Sequence, residues 1–152
     1  MTETRPRYES DESGVMRMLR EFLDHHKFAD VYELPPVLHF EQEYSLTRGR
    51  CDFVVFHSDG SVTVVEAKGS RELRNAAGGI GQLLSYTIQI GMARPGAVVR
   101  GLLVAPVAPG TEEARLLDEA CRRAGMAFEP CPLMADLSKT AAAIIAKAAE
   151  LG

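Results

Sequence analysis

Between Gly49 and Ser70 the chain reads "GRCDFVVFHSDGSVTVVEAKGS", two apolar, β-branched runs joined by a turn sequence. Few patterns restrict a fold more, because runs of this kind separated by Asp and Gly form antiparallel hairpins. Ser58-Asp59-Gly60 suits a three-residue loop with the glycine left-handed. In that register His57 faces Ser61, and counting outward sets Asp52 opposite Glu66. Directly opposed residues share a face, with β-carbons roughly 4.5–5.5 Å apart. Lys68, two residues past Glu66, falls on the same face. A two-residue Asp59-Gly60 turn would shift the register by one and separate Asp52 from Glu66 across the sheet; the sequence permits both turns. Buried charge is costly unless it is paired or holds a metal. Two opposed carboxylates repel and need a cation between them. That cation is either Lys68, in a structural ion-pair cluster, or a hard divalent metal suited by oxygen ligands. Solvated charges at a sheet edge are the bland alternative, which weakens when three charges share one face.

Composition sets wider bounds. With 152 residues, 46% hydrophobic and 25% charged, the chain reads as a single domain, 1–152, with one real core. A net charge of -4 excludes a broadly basic nucleic-acid binder, so any such function must rest on a local patch. Cys51, Cys121 and Cys131 are too widely spaced for a disulfide framework or a zinc site, which points to a reducing compartment. The first residues lack an apolar signal region, and the longest apolar run, around Gly101 to Ala108, is too short to span a bilayer. The expectation is a cytoplasmic protein with no membrane contact.

Residues 1–10 read as a loose tail. Asp11 or Ser10 caps a helix from Glu12 to His26, whose Val15, Met18, Leu19, Phe22 and Leu23 fall on one face. Pro35-Pro36 starts an extended segment in which Leu38, Phe40, Gln42, Tyr44 and Leu46 alternate against a wetter face. After the hairpin, a helix beginning near Gly79 to Gln82 stops at Gly91, and "AVVRGLLVAPVA" is a buried strand. Thr111 caps a helix from Glu112 to Ala124, ended by Gly125. "MAFEPCPL" is a short edge strand, because it contains prolines, and 136–151 is an alanine-rich helix. The order αβββαβαβα predicts an α/β domain: a mixed central sheet, antiparallel in its first half, flanked by helices.

Asp52, a hairpin's length, then Glu66-Ala67-Lys68 resembles the D…(D/E)xK core of the PD-(D/E)XK nuclease superfamily, with the Arg50-x-Asp52 variant in place of the usual proline. "GGIGQLLSY" is similar to the family's Gln-x-x-x-Tyr element; Gln82 and Tyr86, four apart, stack on one helix face. "VVRGLLVAP" and "RRAGMAFEPC" resemble the closing half of the C-terminal nuclease domain of NucS-type endonucleases, and the likeness spans about Glu12 to Leu133. It implies a restriction-endonuclease-like fold. No stretch of the chain matches the separate N-terminal DNA-binding domain of the NucS type, so that mode of substrate capture is not carried over. Nor can three cysteines hold the iron-sulfur cluster of some relatives.

The resemblance implies a nuclease that hydrolyses phosphodiester bonds, with DNA as the expected nucleic acid and Mg2+ or Mn2+ as cofactor. Asp52, Glu66, the backbone carbonyl of Ala67 and an acidic residue of the first helix would hold the metal. Glu12 is the best match for the last, since it precedes Val15, Leu19 and Leu23 at helical spacing; Glu9 and Glu21 fit less well. Favourable placement in the first turn also accounts for Glu12. Lys68 would orient or deprotonate water, while Gln82 and Tyr86 would contact phosphate or support the site. Arg48, Arg50, Arg71 and Arg74 flank the hairpin and could contact phosphates. His25-His26 point in different directions and make no joint metal site, and Gly78-Gly79-Ile80-Gly81 follows no strand and reads as a flexible approach to the Gln82 helix. The stripe Leu137, Ala141, Ile144, Ala148, Leu151 packs on the core or on a second copy. A homodimer, and a partner protein presenting the substrate, stay open. The alternative function is a catalytically inactive nuclease-like fold acting as a nucleic-acid-binding or protein-interaction module.

Overall fold

The computed structural model describes residues 11–69, 76–130 and 149–150. The tail 1–10, Arg71, Arg74, Cys131 and the stripe from Leu137 to Leu151 lie outside the described residues. Those described form α1 (Glu12–Asp24), α2 (Phe28–Tyr32), β1 (Val37–Ser45), β2 (Arg50–His57), β3 (Val62–Ala67), α3 (Ala76–Ala93), β4 (Val99–Ala105), α4 (Glu112–Arg123) and β5 (Ala127–Pro130). The sheet runs β1-β2-β3-β4-β5. Its first three strands are antiparallel, and β3, β4 and β5 are parallel. It is the mixed α/β sheet expected from the sequence, with β5 at an edge.

Each face carries its own core. Val15, Leu19, Phe22 and Phe28 of α1 and α2 pack against Phe53, Val55, Val65 and Leu102. Leu83 and Ile90 of α3 and Cys121 of α4 pack on the other side with Val54, Val64, Leu103 and Phe128. Full burial of each such side chain stabilises by about 1.5–3 kcal/mol, which holds five strands between two helical layers. Asp11 caps α1 through the Gly14 N–H at 2.8 Å, and Thr111 caps α4 through the Ala114 N–H at 3.2 Å.

Three boundaries differ from expectation. The five-residue α2 is too short for periodicity to reveal; it ends at Glu33, with φ 55, just before Pro35-Pro36. α3 starts at Ala76 and runs through Gly91 to Ala93, so Gly78 to Gly81 lie inside the helix rather than in a flexible approach. α1 stops at Asp24, and the exposed His25 and His26 follow it as the chain turns, with φ 58 at His26.

The hairpin takes the three-residue loop. Gly60, with φ 89, donates its N–H to the His57 carbonyl at 3.0 Å, and the His57 N–H donates to Ser61 at 2.9 Å. Pairs then run from Phe56 with Val62 to Phe53 with Val65. Asp59 secures the turn, accepting from the Ser61 N–H at 2.9 Å and hydroxyl at 2.6 Å. Buried His57 ties the loop end to the start of β1: Nδ1 donates to the Pro35 carbonyl and Nε2 accepts from the Thr63 hydroxyl, both at 2.7 Å. That pairing fits a neutral ring, as does its lowered pKa, caused first by burial.

Simple alternation fails in β1, for two reasons. A register shift between Val37 and His39 leaves Leu38 73% exposed. Farther along, Phe40 packs with the α1 core and Tyr44 with the α3 core, although four residues in a regular strand would return to the same face. β2 does the same: Phe53 belongs to one core and Cys51 to the other. The reversal lies between the pairs Gln42 with Phe53 and Tyr44 with Cys51, where Glu43 and Asp52 stand. Glu43 has φ 55, a left-handed conformation that turns the strand over. Glu43→Val should therefore destabilise the protein by about 1–3 kcal/mol, since a β-branched residue is strained there, whereas Glu43→Gly should not. Urea denaturation of the two variants checks this; equal losses would count against strain at Glu43.

Candidate active site

The strand reversal is where the hairpin ladder ends. Beyond Phe53 and Val65 the register would set Asp52 opposite Glu66, and the next hydrogen-bonded pair would be Cys51 with Ala67. Instead the Ala67 N–H donates to Asp52 Oδ2 at 2.7 Å, so a side chain replaces the strand and β2 and β3 part. Glu66, next to Ala67 on β3, sits 5% exposed beside this fork. Its Oε2 lies 3.4 Å from Lys68 Nζ, while Oε1 is buried with no hydrogen-bond partner. Lys68 extends past the end of β3 but its N–H still bonds the Val104 carbonyl at 2.9 Å, which fixes where the side chain begins.

The electrostatics match an unfinished charge cluster. Burial, and next the Asp52 charge, push Glu66 up to about 7 against the pull of Lys68. Burial pushes Asp52 up to about 6, opposed by the Ala67 N–H and reinforced by Glu12. Lys68 pulls both down, yet both stay above their ordinary values. Cys51, beside Asp52, is raised to about 12 by burial and bonds the Tyr44 carbonyl, so it is an inert core thiol.

Helices close the fork from both faces, forming a cleft of about 690 Å³. From α1 come Glu12, Ser13, Met16, Arg17 and Arg20; from α3, Gln82 and Tyr86; from the strands, Gln42, Glu43 and Arg50 with the trio Asp52, Glu66 and Lys68. The structure thus brings together Glu12, Arg50, Asp52, Glu66, Lys68, Gln82 and Tyr86. It leaves Glu21 exposed and out of the cleft lining, and Arg48 exposed at the β1–β2 turn. Glu9, Arg71 and Arg74 lie outside the described residues. Among the described residues no three His, Cys, Asp or Glu side chains form a group set to hold a metal ion. Glu12 therefore lines the cleft without joining one cage with the fork carboxylates. The fork itself fits a cation: two carboxylates are held above their ordinary range, and one buried oxygen lacks a partner.

α3 approaches closely because of two glycines. A β-carbon on Gly79 would stand 2.8 Å from Lys68 Cε, so the lysine stem packs on bare helix backbone and its Nζ comes within 3.5 Å of Gln82 Oε1. A β-carbon on Gly49, which has φ 100, would stand 2.9 Å from the Tyr86 hydroxyl. That phenol is raised by burial and by Glu66, and the Arg50 N–H donates to it. Sequence reasoning missed Ser13, Met16, Arg17 and Arg20, which form an i, i+3, i+4, i+7 stripe from Ser13 beside Glu12. It also missed Glu43, for which the sequence carries no signal.

The mixed sheet between helical layers carries Asp52, Glu66 and Lys68 together at its strand fork. Two solved structures share the fold. A repair endonuclease from Pyrococcus abyssi superposes with a TM-score of 0.55 at 20% identity, over 86% of this chain and 50% of that one. EndoMS in complex with double-stranded DNA superposes with a TM-score of 0.50 at 20% identity, over 87% of this chain and 48% of that one. The chain spans about half the length of each. No family model and no curated protein matches the sequence. Among the described residues no helix is long and apolar enough to cross a membrane.

The raised carboxyls make a pH prediction for the metal-free protein. Folded Asp52 and Glu66 keep protons that the unfolded chain, with ordinary values of 3.8 and 4.5, has lost. Stability should therefore fall as pH rises from about 4 to about 7.5, by on the order of 2–3 kcal/mol for Glu66. Glu66→Gln should flatten the slope and raise the melting temperature at pH 8. Thermal melts in chelator across this window test it; a wild-type melting temperature that climbs with pH would contradict the burial of these charges.

Proposed function

We propose that the protein is a metal-dependent nuclease that hydrolyses phosphodiester bonds in DNA. The observation that carries this reading is the fork: half-buried Asp52 and buried Glu66 both sit above their ordinary carboxylate range with Lys68 alongside, and Glu66 Oε1 has no partner. A structural ion-pair cluster would satisfy Glu66 Oε1, and this one does not. The likeness to a repair endonuclease and to EndoMS bound to double-stranded DNA supports the substrate class.

Asp52, Glu66 and the carbonyl of Ala67 would hold Mg2+ or Mn2+, with Glu12 as a further acidic group from α1. When bound, such an ion polarises the phosphoryl oxygens and offsets the charge that builds on them. The chain's own residues do the rest. The Asp52–Ala67 hydrogen bond fixes one carboxylate, so its free oxygen has a set direction. Lys68, held between Glu66 and Gln82, directs positive charge toward the reacting phosphate and can orient the attacking water. Arg50 lines the cleft and is suited to a phosphate oxygen, because its exposed contact with Glu43, at 3.5 Å, is weak.

Cleavage of plasmid DNA with and without magnesium or manganese is the direct test. Glu66→Ala or Asp52→Ala should abolish cutting while the metal-free protein stays folded, since removing a carboxylate relieves repulsion, although Asp52→Ala also leaves the Ala67 N–H unpaired at roughly 1–3 kcal/mol. Unfolding of both variants without metal would make the pair structural instead. Lys68→Ala should slow single-turnover cleavage by roughly 10²–10⁴.

Gly79→Ala separates stability from chemistry. Helix propensity favours the alanine by about 1 kcal/mol, but its β-carbon displaces the end of Lys68. The melting temperature should hold or rise while the cleavage rate falls at least tenfold. An unchanged rate would mean that the position of Lys68 does not matter.

A further inference from the structure

On α3, one turn beyond Tyr86, stands Gln89, seven residues past Gln82 and so on the same side of the helix. Its amide makes two hydrogen bonds to one backbone residue. The Arg48 N–H donates to Oε1 at 3.1 Å, and Nε2 donates to the Arg48 carbonyl at 3.0 Å. A two-point contact of this kind, like a paired strand, fixes orientation as well as distance. Nε2 also donates to Ser85 Oγ at 3.2 Å, so the amide is steadied from its own helix. Gly49 lies against the Tyr86 ring, and the Arg50 N–H bonds the Tyr86 hydroxyl. Arg48 and Gly49 of the β1–β2 turn and Arg50, the first residue of β2, are thereby fastened to α3, and both arginine side chains stay exposed.

Arginines on a loose turn must lose backbone as well as side-chain freedom to contact a ligand, at roughly 1–2 kcal/mol per backbone residue ordered. A turn already clasped avoids the backbone part. We infer that Gln89 is a positioning residue for nucleic-acid backbone: its clasp on Arg48 sets the turn so that Arg48 and Arg50 meet phosphates of a strand entering the cleft. This rests on the nuclease reading above. Gln89 does not line the cleft, so the clasp acts on binding rather than on the chemical step.

The experiment compares the full chain with Gln89→Met, which keeps length and helix propensity but loses both bonds, and Gln89→Glu, which keeps the acceptor and loses the donor. Duplex DNA affinity is measured in a Glu66→Ala background across salt concentrations, and turnover at saturating DNA with magnesium in the active background. Amide hydrogen exchange of Arg48 reports the clasp itself. For Gln89→Met the Kd should rise about tenfold, and the slope of log affinity against log salt should shrink by about 1–2, at about 0.9 per phosphate contact. kcat should stay within twofold and Arg48 exchange should quicken; Gln89→Glu should lie between the parent and Gln89→Met. If Gln89→Met melts early, Gln89→Glu decides. Faster exchange with unchanged Kd and slope would make the clasp merely structural and overturn the inference. A fall in kcat at unchanged Kd would overturn it too. A parent protein that neither binds nor cuts DNA would sink the nuclease reading, and the inference with it, a result seen in the parent arm alone.

Discussion

A single hydrogen bond, from the Ala67 N–H to Asp52 Oδ2, organises the rest of the site. It ends the β2–β3 ladder by putting a carboxylate where a backbone carbonyl would stand. Both β1 and β2 turn over at that level, where Glu43 takes a left-handed conformation beside Asp52. The strands can then part without leaving the Ala67 donor unpaired, an omission that would cost roughly 1–3 kcal/mol. Into the gap go Glu66 and Lys68, with α1 on one face and α3 on the other. A regular hairpin would have no such opening.

Keeping two carboxylates there works against the fold. Their raised pKa values state the cost of holding negative charge out of water, which Lys68 reduces without removing. The two cores on either face of the sheet supply the stability that this arrangement consumes. Natural sites accept local strain of this sort where chemistry needs it. Glu43 in its left-handed conformation and the unpartnered Glu66 Oε1 stand within the same cleft.

α3 acts as the frame for this fork. Gln82 meets Lys68, Tyr86 meets Gly49 and Arg50, and Gln89 meets Arg48. Glycines in the helix, which cost about 1 kcal/mol each relative to alanine, are explained at Gly79 by the lysine stem that lies against it. One helix thus sets the position of Lys68 and of Arg48 and Arg50.

Much of this was legible in the residues alone. The β-branched runs mark the hairpin, and of the two turns the sequence permits, the three-residue Ser58-Asp59-Gly60 loop sets Asp52 toward Glu66; the structure selects that loop. Helical spacing likewise put Gln82 and Tyr86 together, and the order of elements implied a mixed sheet. What spacing could not supply were departures from regularity. The reversal at Glu43 and Asp52, the passage of α3 through Gly78 to Gly81, and the Gln89 clasp on a turn 41 residues away depend on contacts between segments distant in sequence. Local pattern determines which face a side chain would take in an ideal strand or helix. Only packing, with its demand that every buried donor find an acceptor, decides where the ideal gives way.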